Sequence, residues 1–475
     1  MGMRDRFRGI VGRFWADVKA ARQRGSFARN ALFTFSDALV NVLAQLILTP
    51  LVARLYGPEP YGVYGLFITI ATNLSLIVGL AYPNALVLPR DEDGFQRLAR
   101  ATFALIVGMT LLITPLFMWH EALFRIAPAL RVMGHWTYAI PLMVLLLALV
   151  QYFNAWAARA KAFSLNAKIG PAANVGLRAV NLAVGTATQG ATWGLIAGEL
   201  VVRTASVGAF LVGLKRHGIR LLRGPYDMGA MKAALREHRS HPLFVFPSRW
   251  LALFSTQLPV FGLITLGDTR AAGQFTLGSG LLLMPLRLFG YSLAGVFYQK
   301  AAEARDAGPQ AVASITARLH ARLVMLGLLP FTFITFFGDA VFALVLGEAW
   351  TLAGTYTALM GVFYFFRLLS EPLVTLFSVL GKERKMLGFY ATAMAVNLAA
   401  VLVGTHVLRS AGGMIALFAA CNTVLYLDLS VRLLRLAGCE PWRPTVRAIG
   451  LTIAACALFA GARYLVLGTF APALQ

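Results

Sequence analysis

Apolar runs of 20 or more residues recur along this chain, broken by short charged loops. About 20 apolar residues suffice for a helix to cross the hydrocarbon core of a bilayer. Only helices and closed barrels satisfy every backbone polar group there. The runs are 30–53, 61–88, 98–119, 137–158, 168–188, 190–214, 243–266, 273–298, 319–344, 350–380, 386–408, 411–434 and 447–468, thirteen candidate spans. Two pairs, 168–188 with 190–214 and 386–408 with 411–434, are nearly fused. Arg463 interrupts the last run, which makes it the weakest span. Of the 475 residues, 58% are hydrophobic and 13% charged. A soluble domain holds about 45–50% and about 25%, so an ordinary soluble enzyme is excluded. Disorder is excluded too, because it needs low hydrophobicity.

The charge balance sets orientation. There are 43 lysines and arginines against 20 acids, a formal charge of +23. Cytoplasmic loops carry an excess of Lys and Arg. With the N-terminus cytoplasmic, 32 of the basic residues fall on the inner side. Only Arg54, Arg125, Arg131, Arg270, Arg409 and Arg463 fall outside, and the odd span count puts the C-terminus outside. Residues 1–29 read as a basic amphipathic helix lying on the membrane surface. Phe7, Ile10, Val11, Phe14, Trp15 and Val18 share one face, and Arg4, Arg6, Arg8, Arg13 and Lys19 lie elsewhere.

No cofactor chemistry is visible. Cys421, Cys439 and Cys456 lack a CxxC spacing and read as small apolar residues rather than a disulfide or metal framework. No P-loop, HExxH, GxSxG or dinucleotide motif occurs. The reading is a non-enzyme without cofactor, metal or nucleic-acid partner.

A basic linker, residues 215–242, divides the chain into an N-lobe at 30–214 and a C-lobe at 243–436, with residues 437–475 adding a further helix. The halves are weakly self-similar. Leu32-Phe33-Thr34-Phe35 matches Leu243-Phe244-Val245-Phe246, and Gly62-Val63-Tyr64 matches Gly273-Gln274-Phe275, both at an offset of 211. Two six-helix lobes that both begin on the cytoplasmic side imply a pseudo-twofold axis along the membrane normal.

The stretch Leu48-Thr49-Pro50-Leu51-Val52-Ala53-Arg54-Leu55-Tyr56-Gly57-Pro58-Glu59-Pro60-Tyr61-Gly62-Val63-Tyr64 resembles the first hairpin of the polysaccharide and oligosaccharide flippases. That family belongs to the multidrug/oligosaccharidyl-lipid/polysaccharide superfamily, with the lipid II flippases and the multidrug-and-toxin exporters. The resemblance continues through Phe261-Gly262-Leu263-Ile264-Thr265-Leu266-Gly267 and Gly381-Lys382-Glu383-Arg384, loosely over residues 30–436. It implies an all-α polytopic membrane protein with twelve core helices in two six-helix lobes, here joined by a thirteenth. It implies a flippase of the bacterial inner membrane, moving undecaprenyl-diphosphate-linked oligosaccharide units by alternating access for exopolysaccharide, O-antigen or capsule synthesis. Partners would be that lipid-linked sugar, membrane lipids, and the polymerase and glycosyltransferases of the pathway. Two departures matter: Gln257 stands where the family often carries an acid, and the second hairpin reads Ala272-Gly273-Gln274-Phe275.

Charges inside the spans nominate the site, because each costs about 2.5–3.5 kcal/mol to insert. Glu199 with Arg203, Arg367 with Glu371, and Asp428 with Arg432 are spaced i,i+4 and can neutralise each other. Arg178, Arg249 and Arg287 have no acid at such spacing. A planar guanidinium binds phosphate bidentately. Arg178, Arg249, Arg287 and Arg367 are therefore the candidates for a diphosphate and sugar cavity. Asp37, Asn41, Glu199 and Glu371 are the candidates for gating or ion coupling. Asp37 and Arg249 each lie about 10 Å inside their spans, and a pair between them would close the cytoplasmic gate. Two rivals stay open: a cation-coupled multidrug exporter on the same lobes, and a non-transport membrane scaffold.

Overall fold

The computed structural model describes residues 46–216 and 226–470, and every regular element within them is helical. The helix α1 (Leu46–Tyr56) is the end of the first apolar run. It is followed by α2 (Pro58–Gly79), α3 (Glu92–Met118), α4 (Pro128–Arg159), α5 (Phe163–Thr188) and α6 (Trp193–Arg216). A short helix, Met228–Glu237, stands in the basic linker. The second half holds α7 (Phe246–Thr265), α8 (Thr269–Ala307), α9 (Pro309–Leu346) and α10 (Glu348–Val379). It continues with α11 (Glu383–Leu408), α12 (Ala411–Leu436) and α13 (Trp442–Leu467). The expected interfacial helix at 1–29, Asp37 and Asn41 lie outside the described residues.

Ten of these helices are long and apolar enough to cross a membrane, so the chain is a multi-pass membrane protein. The other three are α1, α5 and α7. The last two are helical where the sequence predicts spans, but they are too polar to join that class. Asn166, Lys168, Asn174, Arg178 and Asn181 lie on α5, and Ser248, Arg249, Ser255 and Gln257 lie on α7. Helices of this composition need a protein or water environment, not lipid.

Several boundaries differ from the apolar runs, each for a local reason. The run 61–88 ends as a helix at Gly79, because Leu80 and Ala81 turn left-handed at φ 43° and 58°. The run 319–344 becomes a 38-residue helix. Pro309 at its start lacks only a donor that would be orphaned anyway, and the polar first turns are helix beyond the apolar part. Asp91 caps α3 by accepting the Gly94 N–H at 2.7 Å. Gly190 sits in a turn at φ 78°, and Gly194, Gly198 and Gly213 pack α6 closely against its neighbours. Arg463 does not interrupt the last helix: α13 runs 26 residues through it.

The halves meet where α2 crosses α8. A Cβ on Gly62 would overlap the Thr269 carbonyl, one on Gly273 would overlap the Pro58 carbonyl, and one on Gly65 would overlap the Thr276 hydroxyl. Only glycine lets the two backbones approach this closely. The pairs obey the 211-residue offset seen in the sequence. It maps Gly62 onto Gly273 and Pro58 onto Thr269, so the two glycine contacts exchange with each other, and it maps Gly65 onto its own partner Thr276.

Candidate functional site

Helix alternation gathers the basic loops at one end of the bundle, and the opposite end is sealed between the halves. Trp350, at the start of α10, donates its indole N–H to the Ala53 carbonyl at 3.1 Å. It also meets Tyr61 edge-on at 5.2 Å. Arg54 donates to the Val345 and Leu344 carbonyls at 3.0 and 3.2 Å. A buried cluster that includes Val52, Tyr56, Leu195, Phe342 and Leu346 fills the junction. The hairpin that carries the family resemblance is thus the closing surface of the basic-poor end. Its sequence gives no direct sign of that use, although Arg54 and Tyr61 at a span end are unusual enough to flag.

Within the first half, Glu199 on α6 is 1% exposed. Arg203, one turn on, donates to Oε1 from Nε at 2.8 Å and from Nη2 at 2.6 Å. The Tyr64 hydroxyl of α2 donates to Oε2 at 3.1 Å. Both carboxylate oxygens are therefore engaged, one within the helix and one from the helix that crosses to the other half. Arg178 on α5 stands within electrostatic range of the Tyr61 and Tyr64 hydroxyls and has no hydrogen bond or ion pair among the described residues. It lies about 22 Å along α5 from the basic-rich end.

In the second half, Arg367 on α10 is 8% exposed, 3.8 Å from the Glu371 carboxylate. Its guanidinium sits 5.7 Å from the ring centres of both Tyr364 and Tyr426, so aromatic faces share the work of holding the charge. Arg287 is exposed on a π-helical turn, Leu286–Tyr291, that follows Pro285 within α8. Such turns re-aim side chains and are frequent at functional sites. Arg287 acts electrostatically on Tyr364 as well, so Arg287 and Arg367 share one neighbourhood. Arg249 is elsewhere. It is exposed near the start of α7, and its charge acts on His241. Asp428 and Arg432 form their predicted pair at 2.6 Å.

The structure thus places the four arginines in three settings. Arg178 belongs to the first half, Arg287 and Arg367 to the second, and Arg249 to the linker end of α7. The proposed partner of Arg249, Asp37, lies outside the described residues.

Two polar links escaped the sequence reading. The Asn73 amide of α2 donates to Gln257 Oε1 of α7 at 2.5 Å, so Gln257 ties the halves together. Arg463 of α13 forms a two-point pair with Asp339 of α9, both contacts at 2.7 Å, and also donates to the Phe336 carbonyl. An acid and a base in separate apolar runs, each without a local partner, were the available signal. Beside the Asn73 link, α2 and α7 border an open apolar groove of about 800 Å³, lined by Ile70, Leu74, Phe117, Leu130, Trp250 and Phe254.

Solved structures share this fold. An inward-facing multidrug resistance MATE family transporter of the MOP superfamily superposes with a TM-score of 0.63 at 15% identity, covering 89% of this chain and 99% of that one. The lipid II flippase MurJ, inward closed, superposes with a TM-score of 0.58 at 11% identity over 92% of this chain and 99% of that one. An outward-facing MATE family transporter gives 0.57 at 15% identity, over 89% and 96%. At these identities the likeness is one of fold. No curated protein sequence matches the chain. The model of one family, described as polysaccharide biosynthesis protein, matches residues 51–354, well over half of the chain, which therefore belongs to that family.

Proposed function

We propose that this protein is a flippase. It carries a polyprenyl-diphosphate-linked oligosaccharide from the cytoplasmic to the periplasmic leaflet of a bacterial inner membrane, for polysaccharide assembly. The observation that carries this reading is the set of arginines on the long helices of a transporter-like fold: Arg178 on the polar helix α5, and Arg287 beside Arg367 on the apolar spans α8 and α10. Cations at that depth suit an anionic head group. The apolar groove between α2 and α7 offers a polyprenyl tail a side path while the head group crosses inside.

Two six-helix lobes with a thirteenth helix, and an N-terminus inside, belong to the same reading. The exchange of Gly62–Thr269 with Gly273–Pro58 supports a pseudo-twofold axis through the α2–α8 crossing. The sealed basic-poor end, with Arg249 and Arg287 exposed, supports a path open to the cytoplasm. Asp37 and Asn41 would gate that side, with Asp37 opposing Arg249. Glu199 and Glu371 would restrain Arg203 and Arg367 until substrate competes.

The test is flipping of a lipid-linked oligosaccharide by purified protein in proteoliposomes. A charged hydrogen bond is worth about 1.5–3 kcal/mol, so Arg178→Ala and Arg367→Ala should each slow flipping about ten- to a hundredfold. Unchanged flipping in both variants sinks the reading. Export of a cationic dye that survives both substitutions would favour a drug exporter instead.

A further inference from the structure

At the basic-rich end of the second half, α8 and α9 enclose a cleft of about 190 Å³. Its walls are apolar, with Val296 and Phe297 from α8 and Ile315 from α9, and Lys300, Arg318 and Arg322 stand on its rim. Arg318 and Arg322 are one turn apart on α9, and Lys300 is one turn beyond Val296 on α8. All three are exposed, and none belongs to an ion pair among the described residues. The nearby acids are used elsewhere: Glu303 accepts from Gln299 at 3.2 Å, and Asp306 lies 3.7 Å from Arg305. Arg318 spends one N–H on the Ser314 carbonyl, at 3.3 Å. That leaves the outer edge of its guanidinium available.

The depth of the cleft narrows its ligand. The apolar run of α8 ends at 298 and that of α9 begins at 319, so the three cations stand where hydrocarbon gives way to head groups. An apolar slot with a cationic rim at that level matches one chemistry, a phosphate joined to an acyl chain. We propose that the α8–α9 cleft binds an anionic glycerophospholipid. Its phosphate lies between Arg318, Arg322 and Lys300, and one acyl chain lies against Val296, Phe297 and Ile315. Such a lipid would brace the inner ends of α8 and α9 against each other. The proposal needs only the membrane placement and not the cargo assigned above.

The test uses the full chain in mild detergent, titrated separately with phosphatidylglycerol, phosphatidylcholine, inorganic phosphate and undecaprenyl phosphate. Bound lipid is read by native mass spectrometry, beside the thermal midpoint. Phosphatidylglycerol should stay bound and raise the midpoint by several degrees. The triple variant Lys300→Gln, Arg318→Gln, Arg322→Gln should weaken its binding at least tenfold. The variant Lys382→Gln, Arg384→Gln, Lys385→Gln loses the same charge from another loop at that end and should retain it. Ile315→Trp fills the slot without touching the cations and should also weaken binding, which keeps the test valid if the triple variant does not fold. Four outcomes overturn the proposal: equal binding of phosphatidylcholine, equal loss in both triple variants, the same shift with inorganic phosphate, or tighter binding of undecaprenyl phosphate.

Discussion

At the scale of single residues, what decides the fate of a charge in this protein is its partner. Arg463 is 4% exposed and is matched at two points by Asp339. Removing one member of a buried pair strands the other charge, at a cost of about 3–5 kcal/mol. Asp339→Leu should therefore lower the thermal midpoint in detergent sharply. Asp339→Leu with Arg463→Leu should recover most of it, because two apolar residues replace the pair without a stranded charge. A double variant no better than the single would show that the pair does not dock α13. His241 gives a pH prediction. Burial first, then the charges of His238 and Arg249, push its imidazole below its ordinary value, against a backbone hydrogen bond at His238. The folded state then binds fewer protons than the unfolded chain as pH falls through about 6.5. That part of the stability is present above this pH and lost below it. Between pH 7.5 and 5.5 the midpoint of His241→Gln should fall less than that of the wild type.

At the scale of elements, helix composition separates roles that hydropathy alone confuses. The ten apolar helices and the polar pair α5 and α7 are all helices of 20 residues or more, yet the pair falls short of the apolar class because polar residues, Arg178 and Arg249 among them, lie along its length. The α2–α8 crossing depends on Gly62 and Gly273 in the same degree, since each faces the other helix's backbone. Gly62→Val and Gly273→Val should each destabilise the protein by about 1–3 kcal/mol through overpacking. Both should slow flipping more than a similar change at Gly108, which faces open space. Equal effects at all three positions would show that the crossing is not special.

For the whole molecule, the seal at the basic-poor end predicts a state that can be trapped. Arg54 reaches over the end of α9, and Trp350 reaches the end of α1. Cysteines at Ala53 and Trp350, in a chain freed of Cys421, Cys439 and Cys456, should be joined by a bis-methanethiosulfonate linker about as long as the indole that bridges the two positions. The cross-linked protein should then stop flipping, and reductant should restore it. Full flipping while cross-linked would mean that this end never opens during transport.

The helical membrane class, the approximate positions of most described helices and the grouping of basic residues in alternate loops were readable in the sequence. Each depends on one segment at a time, on its length, its hydropathy and the charge of its flanks. The i,i+4 pairs Glu199–Arg203 and Asp428–Arg432 were readable for the same reason: helical geometry puts such residues side by side wherever the helix lies. The 211-residue offset hinted at the exchange of contacts around Gly62 and Gly273, but only packing showed the two backbones touching. Contacts between distant segments were not readable. Arg463 looked like a flaw in its helix until Asp339, on another helix, proved to neutralise it. Gln257 looked like a missing acid until Asn73 proved to be its partner. The four arginines looked like one cavity lining, and packing divided them among three settings. A charge's depth follows from its own helix, but its neighbours follow from how the helices pack, and only the tertiary structure decided that.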